Sequence, residues 1–188
     1  MNAPLDLQMS NAAFLQWVQG QEGRFELERG RVVQQMTWGS RGHSMLVGRL
    51  ARAFGNRLDD TVWNVCPTDL AVEITDSVRY PDVLVERTGQ DTKVLAATDP
   101  VVLVEVLSPS SVLRDLNIKL GEYTALQSLQ AYIVASQDEP ILWVWQRNTD
   151  GKFPSDPVEI AGRTAQLVID DLGVTIPLAE LYLGIGHS

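Results

Sequence analysis

Two carboxylates stand where the surrounding pattern calls for apolar side chains. Asp82 follows Pro81 within Tyr80-Pro81-Asp82-Val83-Leu84-Val85, and Glu105 interrupts the run Val101-Val102-Leu103-Val104-Glu105-Val106-Leu107. An ionised carboxylate on a buried strand is strongly unfavourable unless it is paired or bound to a cation. A divalent ion shared by the two acids offsets that penalty. Hard oxygen donors favour Mg²⁺ or Mn²⁺, and Mg²⁺ commonly takes one or two carboxylates together with substrate phosphate. Two other solutions stay open at this point: Glu105 meeting a buried arginine, or solvation of the end of its strand.

Downstream, Asp115, Lys119 and Tyr123 recur at intervals of four and so share one helix face. From Glu105 to Ser108 a strand runs about 10 Å at ~3.3 Å per residue. A helix from Ser111 to Lys119 climbs back about 12 Å at ~1.5 Å per residue. Packed antiparallel on its strand, such a helix returns Lys119 to the level of Glu105, where an ammonium can contact a phosphate or orient an attacking water. The plainer reading is a solvated Asp115–Lys119 helix pair worth ~0.3–0.5 kcal/mol. His43, after Ser40-Arg41-Gly42, titrates near neutrality and could assist proton transfer or bind phosphate, or it could only pack at a helix start. The single cysteine, Cys66, reads as a structural thiol. A Gly-rich phosphate loop and a nucleophile elbow are both missing, which argues against nucleotide-dependent and serine-hydrolase chemistry.

The elements that must position these groups are readable from periodicity. Ser10 caps a short helix carrying Phe14, Leu15, Trp17 and Val18. Arg24–Glu28 and Arg31–Met36 form strands around an Arg29-Gly30 turn. Ser40 to Leu58 is an amphipathic helix with Leu46, Val47, Leu50, Ala51 and Phe54 on its apolar stripe. Strands are expected at Thr61–Val65, Asp69–Ile74, Val78–Val85, Val101–Leu107, Ala131–Ala135, Ile141–Gln146 and Val158–Ala161. A helix is expected from Val112 to about Leu129, capped from Ser108–Ser111, and a helical turn at Leu178–Leu183. Val101–Leu107 is the most apolar strand and belongs at the centre of a sheet. Strand, helix and strand from Val101 to Ala135 make a crossover, so part of the sheet is parallel and the class is mixed α/β.

At 188 residues, 45% hydrophobic and 21% charged, the chain suits one globular domain. No apolar run approaches the roughly 20 residues of a membrane span. One cysteine and no basic-then-apolar leader point to a reducing, cytoplasmic setting. Acidic residues outnumber basic ones, 24 to 15, for a net charge of −9. That balance opposes DNA binding by bulk phosphate attraction, so a metal ion and a local arginine group such as Arg41, Arg49, Arg52 and Arg114 would have to supply it.

Pro81-Asp82, Glu105-Val106-Leu107-Ser108-Pro109-Ser110-Ser111, and the spaced Asp115, Lys119 and Tyr123 closely resemble the Uma-two family of restriction-endonuclease-like proteins, within the PD-(D/E)XK nuclease superfamily. Phe25-Glu26-Leu27-Glu28-Arg29-Gly30 is similar to that family's opening hairpin, and His43 stands where its histidine does. The resemblance implies a restriction-endonuclease-like α/β fold, a central mixed β-sheet flanked by helices. Residues 1–188 would form one such domain, with an N-terminal helix within 1–22 and a flexible tail at 184–188. It implies metal-binding carboxylates at Asp82 and Glu105, the Val106 carbonyl as a further ligand, and Lys119 in place of the superfamily lysine, whose usual position here is Leu107. Glu26, His43, Asp115 and Tyr123 become auxiliary candidates. Mg²⁺ or Mn²⁺ is the implied cofactor, DNA the implied substrate, and a homodimer the implied assembly. One departure stands out: where the family commonly reads Tyr-Trp-Ile-Val-Asp, this chain has Tyr132-Ile133-Val134-Ala135-Ser136. A catalytically silent module of the same fold, serving protein or nucleic-acid interaction, is the alternative.

Overall fold

The strand Pro100–Leu107 is apolar on both faces except at Glu105, and it lies inside a sheet, as such a composition requires. The computed structural model describes residues 3–35, 39–107 and 112–185, with the side chains of 3–6 and 112–117 outside the description. In chain order the elements are β1 (Ala3–Gln8), α1 (Asn11–Val18), β2 (Arg24–Glu28), β3 (Arg31–Gln35), α2 (Arg41–Gly55), β4 (Trp63–Pro67), β5 (Ala71–Ile74), β6 (Ser77–Arg79), β7 (Val83–Arg87), β8 (Ala96–Ala97) and β9 (Pro100–Leu107). There follow α3 (Val112–Thr124), β10 (Ala131–Ser136), β11 (Ile141–Gln146), β12 (Val158–Ala161), β13 (Gln166–Ile169), β14 (Val174–Pro177) and α4 (Leu178–Leu181).

The strands divide between two mixed six-stranded sheets. The first has the order β1-β3-β2-β6-β5-β8, the second β12-β11-β10-β9-β7-β4, and β13 pairs with β14 alone. In the second sheet β9 runs parallel to β10 and antiparallel to β7. The crossover through α3 is therefore the one the sequence pattern predicts.

Val78–Val85, expected as one strand, is two. The ladder breaks at Tyr80-Pro81-Asp82, and β6 and β7 lie in different sheets. Pro81 has no N–H to contribute to a ladder, so the chain leaves one sheet there and enters the other. A second passage, between β4 and β5, uses left-handed backbone at Thr68 (φ 49) and Asp69 (φ 66). The two passages are stitched by a hydrogen bond from Thr68 N to the Asp82 carbonyl at 3.0 Å. Asp82 thus stands on the seam between the sheets.

Helix ends follow their capping residues. The Ser10 side chain accepts from Ala13 N, and the Ser40 side chain accepts from His43 N at 3.1 Å. Leu46, Val47, Leu50, Ala53 and Phe54 of α2 are buried on one face of the second sheet, against Val83, Val102, Val104 and Ile133. Tyr123 of α3 packs on the opposite face with Leu84, Leu103, Tyr132 and Trp145. Tyr132 meets Tyr123 edge-on at 5.1 Å and stacks on Trp145 at 5.6 Å, so the altered Tyr132–Ser136 segment is closed by aromatic packing from its neighbours.

Some elements differ from expectation. A strand, β1, precedes the N-terminal helix, and the β13–β14 hairpin was not signalled. Helix α3 ends at Thr124 rather than near Leu129. Within the expected tail Gly184 is exposed, whereas Ile185 is buried and its carbonyl accepts from Arg163 Nη2 at 2.8 Å. Met36, the Ser108–Ser111 cap, the side chains of Arg114 and Asp115, and His187 lie outside the described residues. Among the described residues no helix is long and apolar enough to cross a membrane.

Candidate active site

Strand alternation decides which way the acids point. Glu105 shares its face of β9 with Leu103 and so aims toward α3, while Asp82, just ahead of β7, reaches the start of α2 and the main chain of β9. On β2, Phe25 and Leu27 pack under α1, which turns Glu26 to the opposite face, toward α3 as well. Helix α3 answers with Lys119, Glu122 and Tyr123, which lie on adjoining turns. All three carboxylates are buried, at 4–6% exposure.

Asp82 Oδ2 accepts from the Val106 main-chain N–H at 2.8 Å and from His43 Nε2 at 3.2 Å. In an extended strand the N–H and C=O of one residue point to the same edge, so the Val106 carbonyl also faces Asp82. Leu107, whose carbonyl accepts from Gln137 N on the β10 side, confirms the phase. Glu105 Oε1 accepts from Lys119 Nζ at 2.9 Å and from the Tyr123 hydroxyl at 2.9 Å. Lys119 Nζ also reaches Glu26 Oε1 at 3.2 Å. Glu26 Oε2 accepts from Arg79 Nη1 at 3.0 Å and from Gln35 Nε2 at 2.8 Å. Arg79 is itself buried, and it grips Glu122 through Nε at 2.7 Å and Nη2 at 2.9 Å, with Glu28 at 3.5 Å. Ser77 Oγ adds a further donor to Glu122 at 2.9 Å.

The geometry sets the protonation behaviour. Burial, with repulsion from Asp82 and Glu26 working against attraction to Lys119, pushes the Glu105 carboxyl up to about 7. Burial opposes the Lys119 charge, but Glu105 and Glu26 outweigh it and hold the ammonium above its ordinary range. Burial opposes ionisation of Glu26 too, and there Lys119 and Arg79 prevail, leaving its carboxyl below the usual value. The hydrogen bond to Asp82 raises the His43 imidazole despite its burial and the nearby Arg24 charge. Gly39 seats that ring: a Cβ there would fall 2.5 Å from His43 Nδ1.

The structure therefore brings Asp82, Glu105, Lys119, Val106, Glu26, His43 and Tyr123 together. Glu105 meets a lysine, and the buried arginine that pattern reading allowed for it pairs instead with Glu26. Arg79, Glu122 and Gln35 escaped sequence reasoning. Glu122 stands three residues after Lys119, a usable signal, whereas nothing local marks Arg79 as buried. Of the arginines named as a local basic group, Arg49 donates to the Leu181 carbonyl at 3.1 Å and ties α2 to α4. Arg52 is exposed, and its charge acts on Glu180 of α4. Arg41 is exposed two residues before His43.

Among the described residues no three His, Cys, Asp or Glu side chains form a closed metal cage. The donors at hand are Asp82 Oδ1 and Glu105 Oε2, neither of which has a hydrogen-bond partner among the described residues, and the Val106 carbonyl. That oxygen set fits a magnesium-class ion, which keeps several waters and takes substrate oxygens. Among the described residues, the five carboxylates Asp82, Glu105, Glu26, Glu28 and Glu122 form ion pairs with Lys119, Arg79 and, at Asp82, the titratable His43, so acids outnumber the cations that pair with them.

This architecture is shared with a solved structure. The crystal structure described as "a putative nuclease belonging to DUF820", from Anabaena variabilis ATCC 29413, superposes with a TM-score of 0.70, covering 90% of this chain and 97% of that one at 13% identity. At that identity the likeness speaks for the fold. The family model described as "Uma2: Putative restriction endonuclease" matches residues 12–179, and the chain belongs to that family. The uncharacterised protein slr1290 of Synechocystis sp. is 29% identical over 180 residues, spanning 94% of this chain and 93% of its own. A second Synechocystis protein, sll1609, is 28% identical over 134 residues, spanning 69% and 75%.

Proposed function

We propose that this protein is a metal-dependent endonuclease that hydrolyses phosphodiester bonds of DNA, with Mg²⁺ or Mn²⁺ as cofactor. The observation that carries the reading is the meeting of Asp82, Glu105 and the Val106 carbonyl with Lys119 in one under-neutralised cluster. Asp82, Glu105 and the Val106 carbonyl are the groups that would hold the ion, and a bound ion supplies polarisation of the phosphate and acidification of water.

The protein's own groups do the rest. His43 and the Val106 N–H fix Asp82 through Oδ2 and leave Oδ1 without a partner among the described residues. Tyr123 fixes Glu105 through Oε1 and leaves Oε2 without a partner among the described residues. Lys119, held as an ammonium, orients the attacking water and neutralises charge developing on the phosphorus oxygens. Two copies acting together would cut both strands, which sedimentation of the DNA complex tests.

Supercoiled and linear DNA incubated with the purified chain and Mg²⁺ or Mn²⁺ should be cut, with cutting lost in EDTA and in Asp82→Ala and Lys119→Ala. Metal-independent nicking, or equal cutting by those variants, would refute the proposal. One observation favours the silent-module alternative: Lys119 already satisfies both Glu105 and Glu26. Calorimetric titration with Mn²⁺ separates the two readings, because a silent module has no need to bind the ion.

A further inference from the structure

Resting on that nuclease reading, we infer that Glu26 is a positioning residue for Lys119, anchored by Arg79, and not a third ligand for the metal ion. Both oxygens of Glu26 are engaged with protein donors: Oε1 receives Lys119 Nζ at 3.2 Å, and Oε2 receives Arg79 Nη1 at 3.0 Å and Gln35 Nε2 at 2.8 Å. Asp82 and Glu105 differ, since each keeps one oxygen without a partner among the described residues.

An ammonium on Glu105 and a divalent cation on the same carboxylate repel one another. A lysine tethered only to Glu105 would be driven off as the ion enters. Glu26 stands on the other sheet and supplies a second anchor, so Lys119 can yield Glu105 Oε1 and remain beside the site. Lysine carries three N–H donors, and among the described residues two are used, one by Glu105 and one by Glu26. A donor is thus left for substrate.

Arg79 makes the anchor rigid. Its guanidinium holds Glu26 on β2 and Glu122 on α3 at once, and Glu122 lies three residues after Lys119. The register of α3 against the first sheet is therefore fixed at the turn that bears the lysine. Ser77 Oγ on Glu122 strengthens the same joint at 2.9 Å.

The test uses the full chain, Mn²⁺ calorimetry and cleavage kinetics on one DNA fragment. Glu26→Gln should bind Mn²⁺ as wild type does, while kcat falls about 10–100-fold with KM little changed. Asp82→Asn should lose Mn²⁺ affinity in the same titration. Glu26→Asp, which keeps the charge and shortens the reach, should recover part of kcat, and it stands in should Glu26→Gln fail to fold. The double variant Glu26→Gln/Lys119→Met should cut no more slowly than Lys119→Met alone. A Mn²⁺ affinity reduced in Glu26→Gln as far as in Asp82→Asn would make Glu26 a ligand and overturn the inference. So would a double variant slower than Lys119→Met. A wild-type chain that takes up Mn²⁺ and cuts no DNA would overturn the nuclease reading first, and this inference with it.

Discussion

The second sheet is covered on both faces, and the two covers use the same residue types to different ends. On the α2–α4 face the core is aliphatic, and arginines cap main-chain carbonyls: Arg49 serves Leu181, Arg57 serves Ala53 and Thr175, and Arg163 serves Tyr182 and Ile185. The one ion pair among the described residues there, Arg57–Glu180 at 2.7 Å, sits near the surface. On the α3 face Arg79, Glu26 and Glu105 are buried, Lys119 and Glu122 are partly buried, and each charge is held by others. Burying charges at the expense of apolar packing is poor design for stability alone. On the proposed function, the α3 face is where the fold gives up stability for chemistry.

Substitutions can sharpen or break that contrast. The largest stability effect should come from Arg79→Met, which takes the buried guanidinium from both Glu26 and Glu122 and should cost about 3–5 kcal/mol in urea unfolding. A cost near zero would mean that the network is solvated and inert. Next comes pH. Glu105 has a folded value of about 7 against an ordinary 4.5, so the folded chain binds the extra proton between those values. Its contribution to stability is complete below about 4.5 and is lost as pH rises through about 7. Melting temperatures measured across that window should decline toward neutrality, and Mg²⁺ should flatten the decline.

On the other face Ile133→Val removes one methyl from the aliphatic core and should cost about 1 kcal/mol while leaving Mn²⁺ affinity unchanged. Smallest of all, Arg57→Ala should cost about 0.2–1 kcal/mol, since both it and Glu180 stay partly open to solvent. Glu180 also carries the opposite pH sign. The hydrogen bond from Arg57 holds its carboxyl below the ordinary value, so that contribution is present above about 4.5 and fades as pH falls through the lowered value. Equal losses from Arg57→Ala and Arg79→Met would erase the distinction between the faces.

What could be read from the sequence was local. The α2 stripe, the Ser10 and Ser40 caps, the Arg29-Gly30 turn and the central β9 are properties of short windows, and each formed, although α2 ends at Gly55 rather than Leu58 and buries Ala53 more fully than the expected Ala51. The meeting of Lys119 with Glu105 was also accessible, because strand rise and helix rise fix the reach of a crossover. Sheet membership was not accessible. Nothing near Val78–Val85 says that its halves serve different sheets, although Pro81 marks the break. The short β13–β14 strands alternate over only four residues each, too few to stand out from a turn-rich segment. Arg79 and Arg49 illustrate the same limit: whether an arginine faces a buried acid, a carbonyl or solvent depends on partners 43–132 residues away.

The central claim is that Asp82 and Lys119 act as one device, and single-turnover DNA cleavage by Asp82→Asn, Lys119→Met and the double variant tests it most directly. Each single variant should lose about 100-fold or more, and the double variant should be no slower than the slower single one, because parts of one machine fail together. Losses that multiply, or a single variant that cuts at the wild-type rate, would contradict the account.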